Sequence, residues 1–267
     1  MEMRFEKSSF GKRLSSMLKV DFRRMFTTRF LYIMVGICLV MPILILVMTT
    51  MMDGSVTVDP QTGVETVMEG FDNTWQAIGT VSSETNPMAM GLTTMCNINM
   101  LYFFIAVLVG VFVADDFRSG YAKNIFAIRA EKTDYVISKT ITCFVGCALM
   151  FLGFFVGTVL GGAIAGLPFD TGSAGIAGVV MCMLSKLGMV AVFVGIDFAA
   201  SAAAKSRTWM SIVISMVAAM LLYMMVPMIT PLDSGIINVI GCFVAGGIVC
   251  AGLGALSNVI LKKTSLV

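Results

Sequence analysis

Residues 101–139 read LYFFIAVLVGVFVADDFRSGYAKNIFAIRAEKTDYVISK. From Leu101 to Ala114 there is no charge. Asp115 then opens a stretch that mixes acids, bases and aromatic residues as far as Lys139, and uncharged apolar sequence resumes at Thr140. An α-helix crosses a bilayer when about 20 consecutive residues are mostly apolar. The charged stretch is therefore a connection between two spans. The same alternation along the chain predicts six spans, at 30–52, 89–114, 140–166, 178–204, 208–230 and 236–261. Of the 267 residues 58% are hydrophobic and 13% charged, against about 25% charged in soluble domains. A soluble fold of this length has too much surface to hide so much apolar side chain. The expected fold is thus an all-α integral membrane protein.

The placement of the bases sets an orientation. Arg4, Lys7, Lys12, Arg13, Lys19, Arg23, Arg24 and Arg29 precede the first span. Arg118, Lys123, Arg129, Lys132 and Lys139 lie at or between the second and third. Lys205 and Arg207 separate the fourth from the fifth, and Lys262 and Lys263 follow the sixth. Seventeen of the 18 Lys and Arg thus fall on one side, and excess Lys and Arg mark the cytoplasmic side. Both termini are expected in the cytoplasm. The first 29 residues are too charged for a signal peptide.

The opposite side carries one large loop, 53–88, with six acids and no base. Its start, SVTVDPQTGVETV, alternates apolar and polar residues around a Pro/Gly turn and predicts a hairpin. FDNTWQAIG follows, with Phe71, Trp75 and Ile78 at helical spacing. The loop is expected to fold as a small cap, with Phe71 and Trp75 on the span ends.

Residues 1–29 form the first segment and 30–267 the six-span domain. Within the former, 8–26 predict an amphipathic helix. Phe10, Leu14, Met17, Leu18, Phe22, Met25 and Phe26 share one face, and Lys12, Arg13, Lys19, Arg23 and Arg24 the other. Such a helix lies in the headgroup plane, its bases on membrane lipid. Asp21 projects on the apolar side and calls for a base on another element.

Chemistry-bearing residues are sparse. There is no histidine, which removes the commonest general base and metal ligand together. No metal site and no catalytic residue is expected. All seven cysteines lie in apolar runs, so a disulfide framework is not expected; Cys143 and Cys147 read as packing residues. Intramembrane polar groups are costly and are functional candidates by default. Those here are Asn97, Asn99, Lys186 and Asp197, a candidate transport path that competes with interhelical hydrogen bonding. Lys186 and Asp197 share a helix face but lie about 16 Å apart along the axis, too far to pair; Lys186 is expected to snorkel outward. Gly153, Gly157 and Gly161 repeat every four residues, a spacing that lets helix backbones approach closely.

The loop 115–139 is longer than a connection needs. Gly120 is placed to break the second span, and a short helix is expected after it. Phe117, Tyr121, Ile125 and Phe126 on this loop have no lipid reason to be apolar. With Arg118, Lys123, Arg129 and Glu131 as a charged rim, they read as a docking surface for a cytoplasmic partner.

Asp116, Gly120, Tyr135, Ser138 and Lys139 form an acid leaving the second span, a glycine four residues on, then a short helix and Tyr-x-x-Ser-Lys. This pattern resembles the ABC-2 family of exporter permeases, and the layout of the whole chain is similar to that family's. Family members often have Gly-Thr where this chain has Gly120-Tyr121, and a proline in the turn that here reads AIRAE at 127–131. The resemblance implies a transport subunit in the bacterial cytoplasmic membrane, as a homodimer or with a related permease. A separate ABC-type ATPase would dock on the loop, with ATP and Mg bound there and no cofactor in this chain. No nucleic acid is implied. The chain itself holds no phosphate-binding loop, because its only Gly-Lys pair, Gly11-Lys12, is followed by Arg13. By analogy the substrate is an amphipathic peptide, such as a toxin or antimicrobial peptide. Export of lipid, glycan-lipid or drug remains open, and an ion-coupled secondary transporter is the alternative of another class.

Overall fold

A computed structural model of the protein describes residues 9–58, 65–80, 96–127, 131–205, 207–223 and 225–263. Helix α1, Phe10–Thr27, is the amphipathic segment. The chain turns at Thr28 in extended conformation and enters α2, Arg29–Met52. Strands β1 (Val56–Val58) and β2 (Glu65–Val67) pair antiparallel, Val56 opposite Val67, as the alternation predicts. A 3₁₀ turn at Thr74–Ala77 follows, capped by the Asn73 side chain, which accepts from the Trp75 N–H. Next come a second 3₁₀ turn, Ile98–Met100, and helices α3 (Leu101–Arg118), α4 (Tyr121–Ala127) and α5 (Lys132–Ala165). The chain ends through α6 (Gly175–Ala204), α7 (Thr208–Tyr223), α8 (Val226–Ile229) and α9 (Ile236–Lys263).

Among the described residues, five helical segments are long and apolar enough to cross a membrane: α2, Ile98–Arg118, α5, α6 and α9. The expected fifth span differs from the reading of 208–230 as one helix. Helix α7 has 16 residues, about 24 Å at 1.5 Å per residue, and the chain resumes as the four-residue α8. Pro227 has no N–H for the Tyr223 carbonyl, and its ring opposes a continuous helix there. The stretch 115–139 is also more helical than expected. Helix α3 runs on to Arg118, and α5 starts at Lys132. With 34 residues, α5 is about 51 Å long and outreaches a hydrocarbon core of about 30 Å. Its first turns project into the charged layer.

Helix α3 is central: 67% of its apolar window is buried, against 11% for α9. Aromatic rings tie α3 to its neighbours. Tyr102 stacks on Phe193 of α6 with centroids 4.1 Å apart and lies 5.9 Å from Phe151 of α5. The glycine repeat of α5 meets α2. A Cβ on Gly157 would overlap the Leu39 carbonyl oxygen and stand 2.7 Å from Pro42 Cγ; one on Gly161 would stand 2.8 Å from Ile43 Cα. Unanticipated from the sequence is a second close approach, between α6 and α9, where a Cβ on Gly188 would stand 2.9 Å from the Cys242 carbonyl carbon.

The described part of the 53–88 loop sits on the span ends. Phe71 is buried with Leu46 and Ala77. Trp75 stacks against Phe155 at 6.2 Å and meets Phe169 edge-on at 5.8 Å. Ile78 packs with Val179, Cys182 and Leu232.

Candidate functional site

Four elements converge where the second and third spans reach the charged layer. Asp21 and Arg24 lie on one face of α1, three residues apart, and Met25 beside them packs on α5, its Sδ at 2.8 Å from where a Gly146 Cβ would be. Tyr135, Ser138 and Lys139 lie at i, i+3 and i+4 on α5, which puts them on one helix face. Asp116 closes the group from the last turn of α3.

Lys139 is fully buried and its ammonium stands between two carboxylates, 2.8 Å from Asp21 Oδ1 and 2.7 Å from Asp116 Oδ2. The Ser138 hydroxyl donates to Asp21 Oδ2 at 2.6 Å. The Tyr135 hydroxyl donates to Asp116 Oδ2 at 2.8 Å, and Arg24 Nη1 to Asp116 Oδ1 at 2.6 Å. Two acids and two bases make the group neutral, the condition under which buried charge is tolerated. Phe112 covers the Lys139 ammonium at 4.2 Å. One layer out, Arg13 Nε donates to the buried Asp134 at 2.9 Å, and Glu131 stands 3.5 Å from the same guanidinium. The base that Asp21 calls for is therefore Lys139, 118 residues on.

Helix α4 hangs from this group. Gly120 has φ +74°, a left-handed conformation that costs other L-residues about 1–2 kcal/mol; it ends α3 and redirects the chain. The Arg24 guanidinium lies over the Tyr121 ring at 3.9 Å. Burial first, and the Asp21 carboxylate second, push the Tyr121 phenol above its ordinary value, so it stays neutral. Phe126 meets Tyr135 edge-on at 5.3 Å. Phe117 and Phe126 pack against the main core. Tyr121 and Ile125 are half-buried, while Arg118 and Lys123 are exposed, as is Glu131. The aromatic side chains thus hold the helix, and Lys123 and Asn124 are exposed on its outward face, with Arg118 exposed at the end of α3. Arg129 lies outside the described residues.

The four intramembrane residues divide between two places. Lys186 is fully buried and does not snorkel. Its ammonium donates to Asn99 Oδ1 at 2.9 Å and to Thr230 Oγ1 at 3.0 Å, joining α6, the start of the second span and the end of α8. The Tyr102 hydroxyl donates to the Lys186 carbonyl at 3.1 Å. Asn97 sits beside this group and caps the Ile98–Met100 turn, accepting from the Asn99 N–H. Asp197 lies apart, on α6 toward the charged network. It is buried and neither carboxylate oxygen completes a hydrogen bond. The Ser215 hydroxyl stands beside it, and Ser201 and Ser211 share a hydrogen bond at 2.6 Å one turn away. Thr230, Ser211 and Ser215 escape a sequence reading, because a lone hydroxyl in an apolar run satisfies itself on the preceding turn as readily as it joins a site. Arg24 was legible in principle, three residues from Asp21 on the same helix.

Comparison with known proteins adds to this geometry. No curated protein and no solved structure matches the chain. The family profile described as ABC-2 family transporter protein matches residues 17–222, which takes in most of α1, the buried group of Asp21, Arg24, Asp116 and Lys139, α4 and the helices as far as Leu222 in α7. A match over most of the chain, on the segment that builds the network, settles its kinship: this protein is a multi-pass membrane protein of the ABC-2 transporter family.

Proposed function

We propose that the chain is the permease subunit of an ATP-driven exporter, with six spans, both termini cytoplasmic, and a separate ABC-type ATPase docked on α4. The observation that carries this reading is the suspension of α4 from the neutral group of Asp21, Arg24, Asp116 and Lys139. A push on α4 moves α1 and the ends of two spans together, which is what coupling to a nucleotide-driven partner requires. The exposed Arg118 and Lys123 are the contact to that partner, with the half-buried Ile125 beside Lys123 on α4 and Glu131 at the edge. Phe117, Tyr121 and Phe126 set the angle of the helix. The path runs past Lys186, Asn99 and Asn97 at the outer end and Asp197 toward the inner end. It works in a pair of copies, for which the exposed apolar faces of α7 and α9 are available. The substrate is an amphipathic peptide.

Co-expression with a candidate ABC-type ATPase partner tests the docking. Arg118→Glu with Lys123→Glu is expected to reduce ATPase recovery at least tenfold, with the permease still in the membrane. Unchanged recovery and unchanged substrate-stimulated hydrolysis would remove α4 as the coupling element. Orientation is tested separately. In a cysteine-free background, Asp72→Cys should react with an impermeant thiol reagent added to intact cells, and Lys123→Cys only after the cells are opened. The reverse pattern overturns the orientation and the docking together.

A further inference from the structure

A groove of about 530 Å³ runs between α5, α6 and α9. Val136, Ile141 and Phe144 of α5 form one wall, and Gly247, Ala251 and Gly254 of α9 the other. Thr133 and Asn258 mark one end of it. There Asn258 Nδ2 donates to Thr133 Oγ1 at 3.0 Å, and Asn258 Oδ1 is buried without a partner. Turning the amide over exchanges the two atoms and still leaves one end of it free. At the same end Lys132 Nζ donates to the Leu261 carbonyl at 2.5 Å. An ammonium has three donors; this one also lies 5.4 Å from the centroid of the Phe126 ring, and the exposed Lys262 follows Leu261 in the chain.

Dimensions select the occupant. From Thr133 to Phe144 the groove follows 11 residues of helix, about 16 Å. That is half of a hydrocarbon core of about 30 Å, the depth of one leaflet. The groove is open along one side, so a single alkyl chain can enter it from the bilayer and lie along its length. Lys132 and Lys262 flank the lining residues Thr133 and Asn258 in the chain, beside one orphaned amide, and no acid is among the lining residues.

We infer that this groove holds one acyl chain of an anionic phospholipid, its phosphate on Lys132 and Lys262 and a headgroup hydroxyl on the Asn258 amide. The lipid comes from the leaflet on the side of the charged network. Seated there, it fills the space between the third and last spans, so α9 is held through a lipid as well as through its packing on α6. The inference needs the chain to span a membrane but not the ATPase reading.

The test uses the full chain in nanodiscs of phosphatidylcholine. These are doped with phosphatidylglycerol or phosphatidylcholine carrying a photoactivatable group on one acyl chain, and labelled peptides are mapped after irradiation. Label is expected on 136–144 and 247–258, at least threefold more from the anionic lipid. Gly247→Leu with Gly254→Leu fills the groove. A Cβ at Gly247 meets open space, and one at Gly254 stands 3.5 Å from Val136 Cγ1, an ordinary contact. This variant should lose at least fivefold of that label and keep its label elsewhere. Lys132→Gln with Lys262→Gln should keep the label and lose the preference between headgroups. Even label over all spans, equal label from both lipids in the unaltered protein, or full label in the filled variant would each overturn the inference. Should filling leave the label unchanged and turn a dimer into monomers, the groove belongs to a second copy.

Discussion

Lys139→Met is expected to destabilise the protein by about 3–5 kcal/mol, the usual loss when one partner of a buried ion pair is removed. The ammonium is fully buried and serves two carboxylates, Asp21 and Asp116, both buried as well. Arg24 neutralises Asp116 from its other oxygen, so the substitution leaves Asp21 with only the Ser138 hydroxyl. Met has nearly the length of Lys and keeps the packing, which makes the loss electrostatic. Asp21→Asn in the same chain restores neutrality and should recover about half or more of the loss. That non-additivity is what a double-mutant cycle reads. Five of the seven cysteines are buried and free, so thermal unfolding in detergent can be followed with a thiol-reactive dye. Equal melting temperatures for the single variant and the unaltered protein would mean that the network does not hold the elements together. In the complex, the same substitution should lower substrate-stimulated hydrolysis more than basal hydrolysis, because α4 loses its suspension.

Gly157→Leu is expected to separate the first and third spans. A Cβ at this position overlaps the Leu39 carbonyl oxygen and crowds Pro42 Cγ at 2.7 Å. Overpacking usually costs about 1–3 kcal/mol when side chains can yield. Here the obstacle is backbone, held by the helix of α2, so the cost should lie at the upper end of that range or beyond. Gly36→Leu is the control, since a Cβ there meets nothing within 4 Å. The control should melt within about 0.5 kcal/mol of the unaltered protein, as surface changes usually do. Should the two variants melt alike, the glycine repeat is not the contact that joins α2 to α5. The cap offers a second readout: a Cβ on Gly162 would overlap the Thr74 side chain, so movement of α5 also reaches the loop that carries Thr74.

Hydropathy located most ends of the five long apolar helices to within a few residues, because insertion of a span is a local property of about 20 side chains. The amphipathic helix, the hairpin and the seating of Phe71 and Trp75 were legible for a similar reason: the periods of 2 and 3.6 are written in adjacent residues. The Tyr-x-x-Ser-Lys pattern marked the residues of the charged network without revealing their partners. Asp21 announced its need for a base through its place on an apolar face, yet Lys139 lies 118 residues away, and only the packing of α1 on α5 brings them to 2.8 Å. Lys186 reads as a snorkelling lysine until the short helix α8 presents Thr230 to it. That helix exists because Pro227 interrupts the fifth apolar run, an effect a window average cannot register. The groove beside α9 is farther still from the sequence, since a space between three helices depends on how each is rotated about its own axis. Burial in lipid makes every apolar face acceptable to solvent, so hydrophobicity fixes which segments cross the membrane; glycine contacts and buried charge pairs decide how they face one another.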